Sequence, residues 1–304
     1  METPDICSLE LESATGQDLP AFSAGSHIDV HIGEGLVRQY SLCNSPWERD
    51  RYVISVLREP ASRGGSAALH DDIGEGSRLR IGEPRNCFPL EPLAARSILL
   101  AGGIGITPML AMAEQLHGDG AAFELHYCTR SARRTAFRAR LEGGPFSERV
   151  SFHISEEGGG RLDLSRLLRT PVPGTMIYGC GPARFLDSVS AAVEASGWPA
   201  GSLRCEHFAA AAHAEGDASF EVRTRSGKSF VVPHDRTVLE VLGANGVEIP
   251  SACEAGVCGT CLTGVLGGEI DHRDHFLTEQ ERAANDRFMP CCSRAKSRVL
   301  ILDL

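Results

Sequence analysis

Cys253-Glu254-Ala255-Gly256-Val257-Cys258-Gly259-Thr260-Cys261 separates three thiols by four and then two residues, and Cys291 follows thirty positions after the third. Cys-x4-Cys-x2-Cys with a distant fourth cysteine is the spacing of plant-type 2Fe-2S clusters, in which one loop wraps an iron pair. On this spacing Cys253, Cys258, Cys261 and Cys291 are the expected metal ligands. Gly256 and Gly259 let backbone N–H groups approach the sulfurs, which stabilises the negative charge added on reduction. A structural zinc site with four cysteine ligands is the alternative, although such sites usually show two short cysteine pairs rather than a triplet and a single. Cys292 adjoins Cys291 and must point elsewhere in an extended segment, as a free thiol or as the fourth ligand in its neighbour's place.

Outward from this loop, the remaining six of the eleven cysteines are scattered singly at Cys7, Cys43, Cys87, Cys128, Cys180 and Cys205. In a reducing compartment disulfides are disfavoured, so the clustering at 253–292 points to metal. With 42% hydrophobic and 23% charged residues in a chain of 304, disordered, collagen-like and low-complexity classes are excluded. The length allows two or three domains, each with its own core. A net charge of -10 argues against nucleic acid or anionic membrane as partners, because phosphate neutralisation needs surplus Lys and Arg. The longest uncharged run, Ser97 to Ala113, carries three glycines and a proline and is shorter than the roughly 20 apolar residues of a membrane span. Glu2 and Asp5 stand where a signal peptide needs a basic and then an apolar stretch, so a cytoplasmic protein is expected.

The rhythm of the chain divides it further. Residues 1–94 show short alternating runs such as His27 to Ile32 and β-rich runs such as Tyr52 to Leu57, separated by turn residues, which reads as an antiparallel β-barrel. Over 95–208, apolar strand-like runs (Ile98 to Ala101, Phe123 to Cys128, Val150 to Ile154, Met176 to Tyr178) alternate with helical patterns (Pro108 to His117, Ala183 to Ser196). That alternation implies βαβ units on a parallel sheet. Residues 209–217 are small and polar, a linker. A third domain over 218–304 holds a hairpin, a short helix from Thr237 to Ala244, the cysteine loop and a last strand from Arg298 to Leu302.

Three further segments carry chemistry. In Arg38-Gln39-Tyr40-Ser41-Leu42, Arg38 offers a fixed cationic fork for phosphate, Tyr40 an aromatic surface and Ser41 a hydroxyl; an ordinary strand with a surface arginine would look the same. Arg63-Gly64-Gly65-Ser66 places glycines before a short helical run, a place for a phosphate or merely a turn. Ala101-Gly102-Gly103-Ile104-Gly105-Ile106-Thr107-Pro108 runs from an apolar strand into a helix, with Thr107 expected as its N-cap and Pro108 in its first turn. Strand, glycines and helix start form the setting in which a pyrophosphate is cradled, though tight helix–strand packing also uses glycine. Tyr178-Gly179-Cys180-Gly181-Pro182 repeats that setting. Thr129-Arg130, with Arg133 and Arg134 behind them, lies at a strand end, where the arginines could meet a 2′-phosphate or simply be solvated. His272-Arg273-Asp274-His275, with Glu269 and Asp271, imitates a metal cluster but reads as a solvated loop.

Ile249 to Cys261, Asp271 to Asp274 and Pro290 to Lys296 together resemble the C-terminal ferredoxin domain of phthalate dioxygenase reductases and vanillate O-demethylase reductases, and the resemblance extends over about residues 10–304. It implies three domains: an antiparallel β-barrel for FMN, an α/β domain with a parallel sheet for NAD, and an α+β (β-grasp) plant-type ferredoxin domain. By this resemblance Arg38, Tyr40, Ser41, Leu42, Arg63, Gly64, Gly65 and Ser66 bind FMN. Gly102, Gly103, Gly105, Thr107, Pro108, Thr129, Arg130, Cys180, Gly181 and Pro182 bind the dinucleotide, with NADH favoured over NADPH. Cys180 orients hydride transfer and Ser41 reaches the flavin N5 edge; Glu206 and Phe208 close the domain near the flavin, or serve only in packing. The implied partner is a Rieske-type terminal oxygenase, met in transient docking by a monomeric reductase. A stand-alone NAD(P)H reductase of a ferredoxin or cytochrome is the enzymatic alternative, and a non-catalytic redox sensor the other. The family usually has a further strand before the segment matching Asp5 to Leu11, so either the start is misassigned or the barrel lacks a strand, with FMN then expected to be held weakly.

Overall fold

The computed structural model describes residues 1–33, 36–60, 64–156, 160–208, 216–251, 253–254 and 256–304. They form two compact units, Met1–Glu206 and His207–Leu304. Most of the expected linker, and Arg63, lie outside the described residues.

The first unit opens with β1 (Ile6–Glu12), β2 (Ser26–Ile32), β3 (Leu36–Ser41), β4 (Arg51–Leu57), helix α1 (Gly65–Asp71) and the short β5 (Arg80–Ile81) and β6 (Arg85–Asn86). β1 pairs with β4 and β2 with β3, β5 and β6, all antiparallel, while a bridge from Leu42 to Ile54 joins the two groups. The alternation in β2 has its expected consequence. Ile28, Val30 and Ile32 enter a core with Leu42, Tyr52, Ile54, Val56 and Leu69. His27 and Asp29 turn to the other face, where Gln39 bonds both and Arg85 clamps Asp29 at 2.7 Å. Ile28 is wholly buried, so truncating it to Ala removes apolar contact worth about 2–5 kcal/mol.

β7 (Arg96–Gly102), α2 (Ile106–Gly118), β8 (Ala122–Thr129), α3 (Arg138–Gly143), β9 (Val150–Ile154), α4 (Leu164–Leu167), β10 (Thr175–Cys180), α5 (Ala183–Ala195) and β11 (Leu203–Glu206) follow. The strands form one parallel sheet in the order β11-β10-β7-β8-β9. β7 starts the sheet and the chain leaves it first to one side and then to the other, so the order reverses between β7 and β10. In open α/β sheets, ligands bind at the carboxyl ends of the strands flanking such a reversal. α2 is buried on almost every side because it is wedged between the sheet and the barrel. One core runs from Ile6, Cys43, Val53 and Phe88 through Met109 and Met112 to Leu99, Tyr127 and Tyr178. Gln115 accepts from the Ala24 N–H at 3.0 Å, and Arg140 donates to the Cys43 carbonyl, tying barrel and sheet into one body.

The second unit contains β12 (Phe220–Thr224), β13 (Ser229–Val232), α6 (Val238–Ala244), β14 (Thr263–Gly267), β15 (Ile270–Asp271), α7 (Glu279–Ala284), β16 (Arg287–Phe288), β17 (Arg294–Ala295) and β18 (Val299–Leu302). Its main sheet has the order β13-β12-β18-β14-β16, with β12 and β18 parallel. Val238, Val241 and Leu242 of α6 pack on Val222, Val232, Leu300 and Leu302, the grip of a helix by a mixed sheet. α6 begins at Thr237, whose hydroxyl accepts from the Glu240 N–H while Glu240 reciprocates, a capping box worth about 1 kcal/mol. Among the described residues, no helix is long and apolar enough to cross a membrane.

Candidate redox sites

At the reversal of the sheet the loops after β7 and β10 meet backbone to backbone. A Cβ on Gly105 would strike the Cys180 carbonyl and lie 2.7 Å from the Gly181 nitrogen; one on Gly181 would lie 2.9 Å from the Gly102 Cα. No side chain fits at either place. The glycines therefore let the two loops close on each other at the carboxyl ends of β7 and β10, beside the start of α2, the setting that suits a pyrophosphate. The helix begins differently from the expectation. A single turn of tighter helix, Gly103–Gly105, runs straight into α2, so Gly105 occupies the cap position and Thr107 lies inside, its hydroxyl donating to the Ile104 carbonyl at 3.0 Å. Pro108 follows as the third helical residue, where its missing N–H costs nothing.

Cys180 ends β10, fully buried, and Ser41 ends β3, also buried. Both point at Glu206, the last residue of β11: its Oε2 faces the Ser41 hydroxyl at 3.5 Å and the Cys180 thiol at 3.9 Å. Residues 165 positions apart thus converge on one carboxyl group at the seam between barrel and sheet. Glu206 retains some exposure as a residue, but its carboxyl group is crowded by protein. Burial pushes its pKa up to about 8, against the smaller opposing effects of the Ser41 and Cys180 hydrogen bonds. Burial and then the neighbouring Glu206 push the Cys180 thiol well above its usual range, so it stays neutral and is no nucleophile. Sequence reasoning named Ser41 and Cys180 but gave Glu206 a lesser place, because nothing local marks a strand-ending glutamate as a meeting point.

In the barrel, Arg38 lies alongside the start of α1. A Cβ on Gly65 would sit 3.1 Å from the Arg38 Cγ. Gly64 takes a left-handed φ of 99° at the helix start, and the Ser66 hydroxyl accepts from the Glu59 N–H at 3.1 Å. A guanidinium beside glycine-framed N–H groups suits a phosphate. Tyr40 is mostly covered, its phenol pushed up to about 12 by burial, and Leu42 is wholly buried, so Leu42 supports the site from behind. At the end of β8 the Thr129 hydroxyl bonds that of Thr135 at 2.8 Å, while Arg130 and Arg133 are exposed and Arg134 lies 3.9 Å from Asp5. Pro182 precedes α5 on the surface; Phe208, 41% exposed, belongs to the second unit.

In the second unit the four expected ligands come together as two thiol pairs. Cys258 bonds Cys253, which with Thr260 holds the Cys258 thiol down at about 5, and Cys261 bonds Cys291, which pushes Cys261 well up. Cys292 bonds the Cys291 thiol and also faces the Met289 carbonyl and Ser293. Among the described residues no three side chains of His, Cys, Asp or Glu close on a single ion, whereas two dithiol pairs suit two irons, each held by two thiolates. The fit is close: Gly256, at φ 68°, would carry any Cβ to 2.5 Å from the Cys292 sulfur.

The expected solvated loop at Asp271 to His275 is overturned in part. His275 is exposed, but Asp274 is 2% exposed, and the half-buried Arg273 bonds Asp217 at 2.6 and 2.8 Å and Asp271 at 2.7 Å. Its charges pair with groups far away in sequence, which is why local composition misreads it.

Residues 222–296 match the family of 2Fe-2S iron-sulfur cluster binding domains. The chain is 53% identical to vanillate O-demethylase oxidoreductase of Pseudomonas putida, over 100% of this chain and 96% of the relative. To phthalate dioxygenase reductase of Burkholderia cepacia it is 42% identical, over 99% and 93%. The solved structure of a phthalate dioxygenase reductase, described as a modular structure for electron transfer from pyridine nucleotides to 2Fe-2S, matches all of this chain and 95% of its own, with TM-score 0.79 and 42% identity. With the paired thiols, the glycine-lined switch point and end-to-end similarity all pointing one way, the chain belongs to the family of vanillate O-demethylase and phthalate dioxygenase reductases.

Proposed function

We propose that the chain is the cytoplasmic, monomeric reductase component of a Rieske-type oxygenase or demethylase, passing electrons from NADH through FMN and a 2Fe-2S cluster to a transiently docked oxygenase. The proposed division is FMN over 1–94, NADH over 95–208 and the cluster over 218–304. The observation that carries the reading is the convergence of Ser41 and Cys180 on Glu206, which joins the barrel to the switch point at one enclosed carboxyl group. The 46–53% identity to three vanillate O-demethylase oxidoreductases favours a methoxylated aromatic acid as the oxygenase's substrate.

Bound flavin supplies the change from two-electron hydride transfer to one-electron transfer. The protein's own groups do the rest. Arg38 with Gly64, Gly65 and Ser66 would hold the FMN phosphate, and Tyr40 and Ser41 would line its ring. Gly102, Gly103, Gly105 and the start of α2 would hold the pyrophosphate, with Thr107, Pro108, Gly181 and Pro182 shaping the cleft; Thr129 and Arg130 would border the adenosine end. Cys180, neutral and fixed, would set the distance of the nicotinamide. Glu206 is protonated at neutral pH and keeps a proton, rather than a charge, beside Ser41. Cys253 with Cys258 and Cys261 with Cys291 would each hold one iron.

The test is the visible spectrum of anaerobically purified protein before and after NADH, with the flavin released by heat and identified, then NADH oxidation with separate oxygenase components. Bleaching of flavin and iron-sulfur absorption, with vanillate-dependent NADH oxidation only when a vanillate demethylase oxygenase is present, is the expected result. A colourless zinc protein overturns the reading. Reduction of added ferredoxin or cytochrome with no response to any oxygenase returns the stand-alone reductase.

A further inference from the structure

Three separate pieces of chain meet at Asp274. Its Oδ2 accepts from the Leu277 N–H at 2.8 Å, and its Oδ1 lies 3.3 Å from the Ser293 hydroxyl and 3.4 Å from His272 Nδ1. Ser293 sits two residues beyond Cys291, and its hydroxyl also accepts from the Arg273 N–H at 3.1 Å. On the other side a Cβ on Gly256, inside the cysteine loop, would lie 3.1 Å from the Asp274 Cα, and the His275 N–H donates to the Gly256 carbonyl at 2.9 Å. The loop of the first three thiols is thus fastened to Asp274 and His275, and the turn of the fourth to Asp274 and Arg273.

The charge of this carboxylate is only partly offset. Arg273, next to it in sequence, is committed to Asp217 and Asp271. Arg282 donates to the Asp274 backbone carbonyl and stands 3.8 Å from Oδ2, with its side chain 34% exposed to screening water. The segment is also gripped from its outer side, where the His207 ring stacks on His275 at 3.7 Å with 4° between planes. A buried carboxylate whose one permanent cation stands 3.8 Å away and partly exposed, with His272 beside it a cation only when protonated, presents net negative charge to its surroundings.

We propose that Asp274 is a positioning residue for the cluster: through Gly256 and Ser293 it registers Cys291 against the first three cysteines, and its charge sets the cluster's reduction potential low. The proposal rests on the function proposed above. Adding an electron beside a buried anion is unfavourable, so removing the anion raises the potential and removing its partial counter-charge lowers it. Two variants of opposite sign make the test. Asp274→Asn keeps an acceptor for the Leu277 N–H and turns its NH2 to the Ser293 hydroxyl oxygen, so it is expected to retain wild-type iron and sulfide content, with the cluster's midpoint potential, read by a dye-linked titration followed by electron paramagnetic resonance, shifted upward. Arg282→Gln, at a partly exposed position, is expected to shift it downward. Asp274→Ala, which also removes the acceptors, is expected to lose most of the iron and sulfide. Unchanged potentials in both charge variants, or a full cluster at the wild-type potential in Asp274→Ala, overturn the proposal while leaving the proposed function standing. A wild-type chain purified without iron and sulfide overturns both.

Discussion

Replacing Glu206 by glutamine tests the enclosed carboxyl group through stability rather than turnover. The carboxyl's pKa rises from 4.5 to about 8 on folding, chiefly through burial. The sign follows directly: the folded chain holds this proton more tightly, so between those pH values it binds more protons than the unfolded chain, and stability falls as pH rises. The contribution is fully present below pH 4.5 and lost as pH climbs through 8. At 1.36 kcal/mol per unit, burial of this group costs about 1 kcal/mol at pH 5, about 3 kcal/mol at pH 7 and at most about 5 kcal/mol above pH 8. Glutamine has nearly the same shape and does not titrate. The variant is therefore expected to exceed the wild type by only about 1 kcal/mol at pH 5 and by about 3 kcal/mol at pH 7. Urea unfolding across pH 5–8 reads this cleanly, because both tryptophans, Trp47 and Trp198, lie in the first unit, so their fluorescence reports that unit alone. The same variant is expected to slow reduction of bound flavin by NADH, by on the order of 10²-fold, the low end for a positioned proton carrier. Parallel stability curves for the two proteins from pH 5 to 8 would refute the placement of a neutral carboxyl group at this seam.

Cys291→Ser is expected to lose iron and inorganic sulfide while Cys292→Ser keeps both, since only Cys291 pairs with Cys261; chemical analysis of the purified variants decides it. Arg38→Ala is expected to weaken FMN binding about tenfold or more, the cost of one charged hydrogen bond, as measured by fluorescence titration of flavin-free protein. Gly102→Ala places a Cβ 3.0 Å from the Phe185 ring and 3.1 Å from Pro182. It is expected to cost about 1–3 kcal/mol of stability through overpacking and to raise the dissociation constant for NADH, by thermal melting and ligand titration respectively.

What the sequence discloses about this molecule depends on how far the deciding contact lies from the residue that shows it. The cysteine spacing, the alternation of Ile28, Val30 and Ile32, and the Thr237–Glu240 cap are settled within a few residues, and each is legible. The parallel sheet is legible too, because alternating strand and helix patterns leave few other ways to bury their faces. Thr107 shows the first limit. Threonine before proline is a sound cap by composition, but the glycines ahead of it coil into a tighter turn and move the helix start to Gly105. Glu206 shows the second: its meaning comes from Ser41, on another sheet, and no periodicity in β11 could announce that. Asp271 to His275 shows the third and sharpest. Five polar or charged residues in a row belong in water unless a partner is waiting, and the partners are Asp217, far upstream, and the Ser293 turn downstream. Once those are in place the burial penalty for Arg273 is offset by two carboxylates, whereas Asp274 is left with the partly exposed Arg282 at 3.8 Å and with His272, a cation only when protonated. A fold keeps such an imbalance beside a group that carries charge in and out only if the imbalance acts on that group, and this is why the segment that most resembles an ordinary surface loop is the one whose charge is expected to move the cluster's potential.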